Sequence, residues 1–307
     1  MGGSGGGSRF RPLSPQKADI LRQTQEKERK ILENDISRFI NSLLTQYNER
    51  DLDSRKSRLD QVKKVLGEDA EIDQILFGGS VAKHTEVSGI SDIDALVILD
   101  RSDLQGKSPK EMLDVFSKIL SNNLPRNDLK SLERGKLAVT IKYDDGTELQ
   151  LLPALRTKNT ISIAASDGKN WNETKPRLFQ KELTTANGKM NDALIPSIKL
   201  FKSINSSLPE QKQLSGYHIE TLSVDAVRNY DGPKTYKNIL IHLLNHSSQR
   251  ILTPIKDKTG QSRVVDEYLG KANSVQRKNI SQTIDGMKRR LESARSVSQW
   301  RAVFEDE

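Results

Sequence analysis

With 307 residues, 34% of them hydrophobic and 29% charged, the chain is long enough for one large domain or two closely packed lobes. Its polarity reads as soluble and globular, and no apolar run approaches the roughly 18 residues needed to cross a bilayer. The absence of cysteine excludes disulfides, thiolate zinc sites and cysteine nucleophiles and fits a cytoplasmic protein; the formal net charge of +8 suits an anionic partner, nucleotide or nucleic acid, although a lysine-rich solvated surface gives the same number.

Residues 1–8, Met1-Gly2-Gly3-Ser4-Gly5-Gly6-Gly7-Ser8, read as a cloning linker rather than a secretory signal and are set aside. A long helix is predicted over 15–49: Ser14-Pro15 supplies an N-cap followed by a first-turn proline, and Ile36, Ile40, Leu43 and Leu44 share one face. A short helix follows over about Ser57–Leu66. The texture then changes to short apolar runs: Ile75-Leu76-Phe77, ending at Gly78-Gly79; Asp94 to Leu99; Leu137 to Ile141; and Glu148 to Leu152, ended by Pro153. Asp144-Asp145-Gly146 is a hairpin turn between the last two. A helical stretch near 108–122 completes a mixed α/β lobe. From about Asn191 the chain turns helical, with helices centred on 191–205, 215–230, 234–248 and 272–296 and punctuated by Pro209, Pro233 and Pro254. The expected division is residues 9–185 for the long helix and the α/β core, and residues 186–307 for a C-terminal helical domain.

The chemistry concentrates in Phe77-Gly78-Gly79-Ser80, then eleven residues, then Asp92-Ile93-Asp94. Two glycines at a strand end let the backbone turn tightly and approach a ligand, and the Ser80 hydroxyl with nearby amides can hold phosphate oxygens. Asp92 and Asp94 are one residue apart, so on a strand both carboxylates face the same way and suit a hard cation such as magnesium. A lone Asp-x-Asp is usually a solvated turn, and a lone Gly-Gly-Ser a flexible one. The combination of strand, Gly-Gly-Ser, polar segment, Asp-x-Asp and apolar strand is far more specific.

That combination resembles the DNA polymerase β-like nucleotidyltransferases. The resemblance implies a mixed-sheet core packed on a helical bundle, with a long N-terminal helix spanning both lobes. It also implies metal-dependent transfer of a nucleotide with loss of pyrophosphate, by Mg2+ or Mn2+ held on Asp92 and Asp94. The family expects a third carboxylate on a neighbouring strand, in many members three residues before a proline. Gln150 stands at that catalytic position, in Gln150-Leu151-Leu152-Pro153-Ala154. Either an engineered Glu-to-Gln change, consistent with the linker, or natural degeneration accounts for it. Glu148 shares the strand parity of Gln150 and could substitute as a ligand.

In the helical half, Ile195-Pro196-Ser197-Ile198-Lys199-Leu200-Phe201-Lys202 followed by Leu214-Ser215-Gly216-Tyr217-His218-Ile219-Glu220 resembles the cyclic GMP-AMP synthase and bacterial dinucleotide-synthase-like group. The resemblance makes Lys202, with Lys199 one turn earlier, the lysines that reach the triphosphate, and Tyr217 the residue that stacks on the base. Gly79, Ser80 and Ser215 would contact phosphate. The group often has serine directly before the tyrosine, where this chain has Gly216. His218 and Glu220 read as structural residues. The Thr259-Gly260-Gln261 and Val264–Leu269 stretches also resemble bacterial members. The implied partners are nucleoside triphosphates and a downstream effector protein in antiphage defence, with nucleic acid as product or activator and no membrane.

Other chemistries find little support. His242 and His246 have an i, i+4 spacing that could bind zinc, yet no third ligand is near in sequence, and they read as core or surface histidines. Lys83 and His84 follow the Gly-Gly-Ser turn and could touch nucleotide. No hydrolase nucleophile motif and no P-loop is present.

Overall fold

The computed structural model describes residues 14–48, 52–69, 72–77, 80, 83–87, 93–99, 106–156, 161–165, 168–174, 176–257 and 264–305. Asp92, Gly79 and the Thr259–Gln261 stretch lie outside the described residues. None of the described helices is long and apolar enough to cross a membrane.

Helix α1 (Pro15–Asn48) begins as its sequence predicts, with the Ser14 hydroxyl accepting from Lys17 N–H at 3.4 Å. Residues 14–31 are exposed along its first half. Its second half buries Ile36, Phe39, Ile40, Leu44 and Tyr47, the apolar stripe that helical periodicity puts on one side. Helix α2 (Leu52–Asp69) is longer at both ends than the Ser57–Leu66 expectation.

The sheet is built from β1 (Ile72–Phe77), β2 (Ile93–Leu99), β3 (Leu129–Arg134), β4 (Val139–Tyr143), β5 (Glu148–Arg156), β6 (Ile161–Ala164) and β7 (Trp171–Thr174), with helix α3 (Pro109–Asn123) between β2 and β3. Strand order runs β1-β2-β5-β4-β3, with β6 on β5 and β7 on β6. Among the described strands, only β2 and β5 are paired in parallel; the other pairings are antiparallel. Strands β3, β6 and β7 were not among the predicted elements.

Pro153 does not end its strand, which continues to Arg156 and pairs Pro153 with Val97 on β2. On the other edge of β5, pairing with β4 reaches Leu151 and pairing with β6 begins at Ala154. Pro153 falls in the gap, where no neighbour on that edge requires the N–H that proline lacks. The hairpin predicted at Asp144-Asp145-Gly146 is present: Gly146 takes φ 83°, and Tyr143 N–H donates to Thr147 O at 2.9 Å. Arg58 of α2 fastens this turn. It donates to both Asp145 carboxylate oxygens at 2.8 and 2.7 Å and lies 4.0 Å over the Tyr143 ring. The guanidinium holds the Asp145 carboxyl down at about 2.

One sheet face packs on α2 and α3. Ala95, Val97, Val139, Ile141, Leu149 and Leu151 join Leu59, Val62, Leu66, Met112, Leu113 and Phe116 in one core. Strand alternation therefore turns Asp94 and Gln150 to the opposite face, the side of Ile98 and Ala154.

The second core is helical. It unites α1 with α4 (Pro176–Lys189), α5 (Leu194–Ser206), α6 (Gly216–Ala226), α7 (Tyr236–Arg250), α8 (Val275–Ser293) and α9 (Val297–Arg301). Helix α4, which sequence periodicity left unassigned, runs across residue 185 and buries Phe179 and Leu183 in this core. The α1 residues buried by the fold lie in the same core.

Candidate active site

The parallel register aligns Asp94 with Gln150 and Ile93 with Leu149. On the other side of β5, Thr140 pairs with Gln150 and Lys142 with Glu148. Asp94, Gln150, Glu148 and Thr140 thus share the face turned away from α2 and α3. On the far side of β2, Phe77 pairs with Ala95, so the chain leaves β1 for the Ser80 turn at the level of Asp94. Sequence placed the glycine-serine segment and the aspartate strand in one motif, and sheet pairing makes β1, which precedes that segment, the neighbour of β2.

The turn itself is compact. Ser80 O accepts from Lys83 N–H at 3.2 Å and from Thr85 N–H at 3.0 Å. Thr85 and Glu86 are buried directly after it, and Val87 joins the helical core, so this segment ties the sheet to the helices.

Lys202 meets it from α5. Its ammonium donates to Thr85 O at 3.0 Å, to Thr85 Oγ1 at 3.2 Å and to Glu220 Oε1 at 2.8 Å. The same Glu220 oxygen accepts from the Thr85 hydroxyl, and Glu220 Oε2 pairs with Lys83. Burial opposes the charge on Glu220, but Lys202 and Lys83 overcome it and hold the carboxyl below its usual range. Lys199 is placed differently, with its ammonium donating to Asn48 Oδ1 at 2.7 Å at the end of α1.

Ser215 is the N-cap of α6, its hydroxyl accepting from His218 N–H at 3.3 Å. Tyr217, in the first turn, sets its ring edge-on to Phe179 at 5.0 Å and 81° and donates its hydroxyl to Asp257 Oδ1 at 2.9 Å. The Lys83 ammonium stands 5.2 Å from the centre of the same ring. Ser80, Lys202 and Tyr217 are thereby linked through Thr85, Glu220 and Lys83, although they lie far apart in sequence.

Thr85, Phe179 and Asp257 were missed by sequence reading, and Glu220 entered it only as a structural residue. Thr85 and Asp257 carry no pattern of their own. Glu220 left one signal: an acid on an apolar helix, one turn after Gly216.

Behind α6, His218 is buried and its Nδ1 is hydrogen-bonded to the Tyr268 hydroxyl at 3.0 Å; the same hydroxyl oxygen accepts from Ser215 N–H at 3.1 Å. Its Nε2 lies 3.7 Å from Asp266 Oδ2. Burial pushes the His218 pKa down to about 4, and Asp266 opposes this only in part. Asp266 is bound in turn by Arg277 Nη1 at 2.6 Å, both residues being fully buried. His242 and His246 have separate partners, the Ala226 carbonyl at 2.9 Å and the Asp225 carboxylate at 3.2 Å. Among the described residues, no group of three or more His, Cys, Asp or Glu side chains could hold a metal.

Comparison with known proteins gives this arrangement a context. No curated protein matches the chain significantly. Among solved structures, the CD-NTase CdnG of Bradyrhizobium diazoefficiens, determined in complex with GTP, superposes with a TM-score of 0.68 at 13% identity, covering 88% of this chain and 95% of that one. CdnC of E. coli MS115-1, determined with ATP, gives 0.64 at 16% identity over 83% and 91% of the two chains. The cyclic AMP-GMP synthase DncV of Vibrio cholerae, a prokaryotic cGAS homolog, gives 0.61 at 11% identity over 95% and 91%. At these identities the likeness establishes the polymerase β-like fold. The Second Messenger Oligonucleotide or Dinucleotide Synthetase domain matches residues 31–187, just over half of the chain. The chain therefore belongs to that family, the CD-NTase nucleotidyltransferases.

Proposed function

We propose that the protein is a metal-dependent, template-independent nucleotidyltransferase that makes a cyclic or linear oligonucleotide signal from nucleoside triphosphates. The observation that carries this reading is the convergence of Asp94 and position 150 on one sheet face beside the Ser80 turn. In this reading the triphosphate lies along Gly79, Ser80, Lys202 and Ser215, with Lys199 adding positive charge from one turn back. The base stacks on Tyr217.

The donor set fits a hard divalent cation in part. Asp94 offers a carboxylate and Asp92 belongs to the same motif, whereas Gln150 supplies only an amide where a third carboxylate would complete the set. Magnesium or manganese, when bound, would lower the barrier to attack by a hydroxyl and neutralise charge on the leaving pyrophosphate. The protein's own part is to align the triphosphate through the Ser80 turn and Lys202 and to fix the base against Tyr217. Positioning and charge stabilisation account for most catalysis of this kind. The product would act on an effector protein, in keeping with a role in bacterial antiphage defence and a cytoplasmic location.

Gln150 favours a second reading, a nucleotide-binding module without catalysis. One experiment separates the two. The chain and its Gln150→Glu and Gln150→Asp variants are incubated with the eight common ribo- and deoxyribonucleoside triphosphates and magnesium or manganese. Pyrophosphate release is followed and products are identified by mass. Turnover by a variant but not by the original chain supports the transferase and assigns the loss to Gln150. A labelled protein or RNA in place of a free oligonucleotide would redirect the substrate assignment. Triphosphate binding with no turnover by any of the three favours the binding module.

A further inference from the structure

Glu220 is 1% exposed on a helix whose neighbouring residues are largely apolar. A carboxylate in such surroundings requires compensation, and its two oxygens are divided between two cations. Oε1 takes Lys202 Nζ at 2.8 Å together with the Thr85 hydroxyl, and Oε2 takes Lys83 Nζ. One carboxylate is thus shared by two ammonium groups where solvent screens charge little, with the buried Glu86 carboxylate in the same segment, one residue after Thr85.

The three donor directions of Lys202 are fixed by Glu220 and Thr85. Lys83, with a side chain 12% exposed against 6% for Lys202, is the more open of the two. It stands 5.2 Å from the Tyr217 ring centre and 5.5 Å from that of Phe179. On another side Gly216 leaves space, because a Cβ there would lie 3.5 Å from Lys202 Nζ. A larger side chain would cover the ammonium from the start of α6.

We propose that Glu220 is a positioning residue that holds the Lys83 ammonium in place as a phosphate-binding lysine for a nucleoside triphosphate at the Ser80 turn, beside Lys202, whose three donors stay on Glu220 and Thr85 and which contributes its charge. The proposal rests on the reading of this cluster as part of a nucleotide site. Glu220 touches no nucleotide in it. Its carboxylate keeps two like charges close together, and without it they repel and the anion site loses its preorganised form.

The test uses the full chain and inorganic tripolyphosphate in metal-free buffer, with affinity measured by calorimetry and thermal unfolding recorded in parallel. Glu220→Gln, Lys83→Met and the double variant are compared with the original chain. Each single change should weaken tripolyphosphate binding about 10-fold. The double variant should fall well short of the product of the two losses, because the carboxylate acts through the lysine. Lys83→Met leaves the Lys202–Glu220 pair in place, so it remains informative if Glu220→Gln does not fold. The proposal is overturned if the original chain does not bind tripolyphosphate, if Lys83→Met binds it unchanged, or if the two losses multiply. Pyrophosphate release plays no part in this measurement, so a clamp effect with no turnover from any carboxylate-restored variant would sink the transferase reading alone.

Discussion

Gln150 stands directly beside Asp94, paired with it in the parallel register of β2 and β5 and turned to the same face of the sheet. A carboxylate at position 150 would set two negative charges on neighbouring strands, an arrangement that is unfavourable without a cation and favourable with one. Gln150→Glu should therefore unfold at a lower temperature than the original chain in chelator. It should gain more from magnesium, about 2.7 kcal/mol at a concentration 100 times the dissociation constant. Scanning calorimetry with and without magnesium checks this, and an equal magnesium response in the two proteins would contradict it.

Tyr217 has two separable features, a ring packed at 5.0 Å on Phe179 and a hydroxyl bonded to Asp257. If the ring carries the base, Tyr217→Ala removes a stacking surface worth about 1–3 kcal/mol and weakens triphosphate binding roughly 5- to 150-fold. Tyr217→Phe keeps the ring and should cost only a few-fold. Titration with ATP and GTP distinguishes these outcomes; equal losses would assign the role to the hydroxyl.

The buried pair Arg277–Asp266 should be sensitive to loss of either partner. Arg277 also donates to the carbonyls of Ile251 at 2.8 Å and Gly270 at 3.0 Å, so its removal strands several acceptors. Arg277→Met should destabilise the helical lobe by about 3–5 kcal/mol, measured by chemical denaturation. A change under about 1 kcal/mol would mean that water replaces the guanidinium.

His218 makes stability depend on pH in a defined window. Its folded pKa, about 4, lies below the ordinary value of 6.5, so the unfolded chain binds the extra proton between those values. The contribution is fully present above about pH 6.5. It declines by up to about 1.4 kcal/mol per pH unit as the pH falls towards 4. Denaturation midpoints for the original chain and His218→Leu, taken from pH 7.5 to 4.5, should converge over this interval. Parallel curves would show that the imidazole is not held neutral.

Much of the local structure was legible because it depends on near neighbours. Ser14-Pro15 marks the start of α1, and Asp144-Asp145-Gly146 the hairpin into β5. Alternation on β5 put Gln150 and Glu148 on one side before any strand was paired. The Gly-Gly-Ser and Asp-x-Asp spacing led to the nucleotidyltransferase family.

What the sequence by itself determined, then, was the family, the polar positions of its motif and the main helices and strands, since periodicity and turn chemistry act over a few residues. Only the tertiary structure decided that Gln150 aligns residue for residue with Asp94, because register across a parallel pair joined by a long crossover is set by packing on both strands. It likewise decided that Glu220 divides its charge between Lys83 and Lys202, and that Asp257 meets Tyr217. Those contacts span 137, 18 and 40 positions in the chain, and no local propensity encodes them. Strand β3, with its mixed polar pattern, and α4, with its modest apolar stripe, took their forms from the layers they cover.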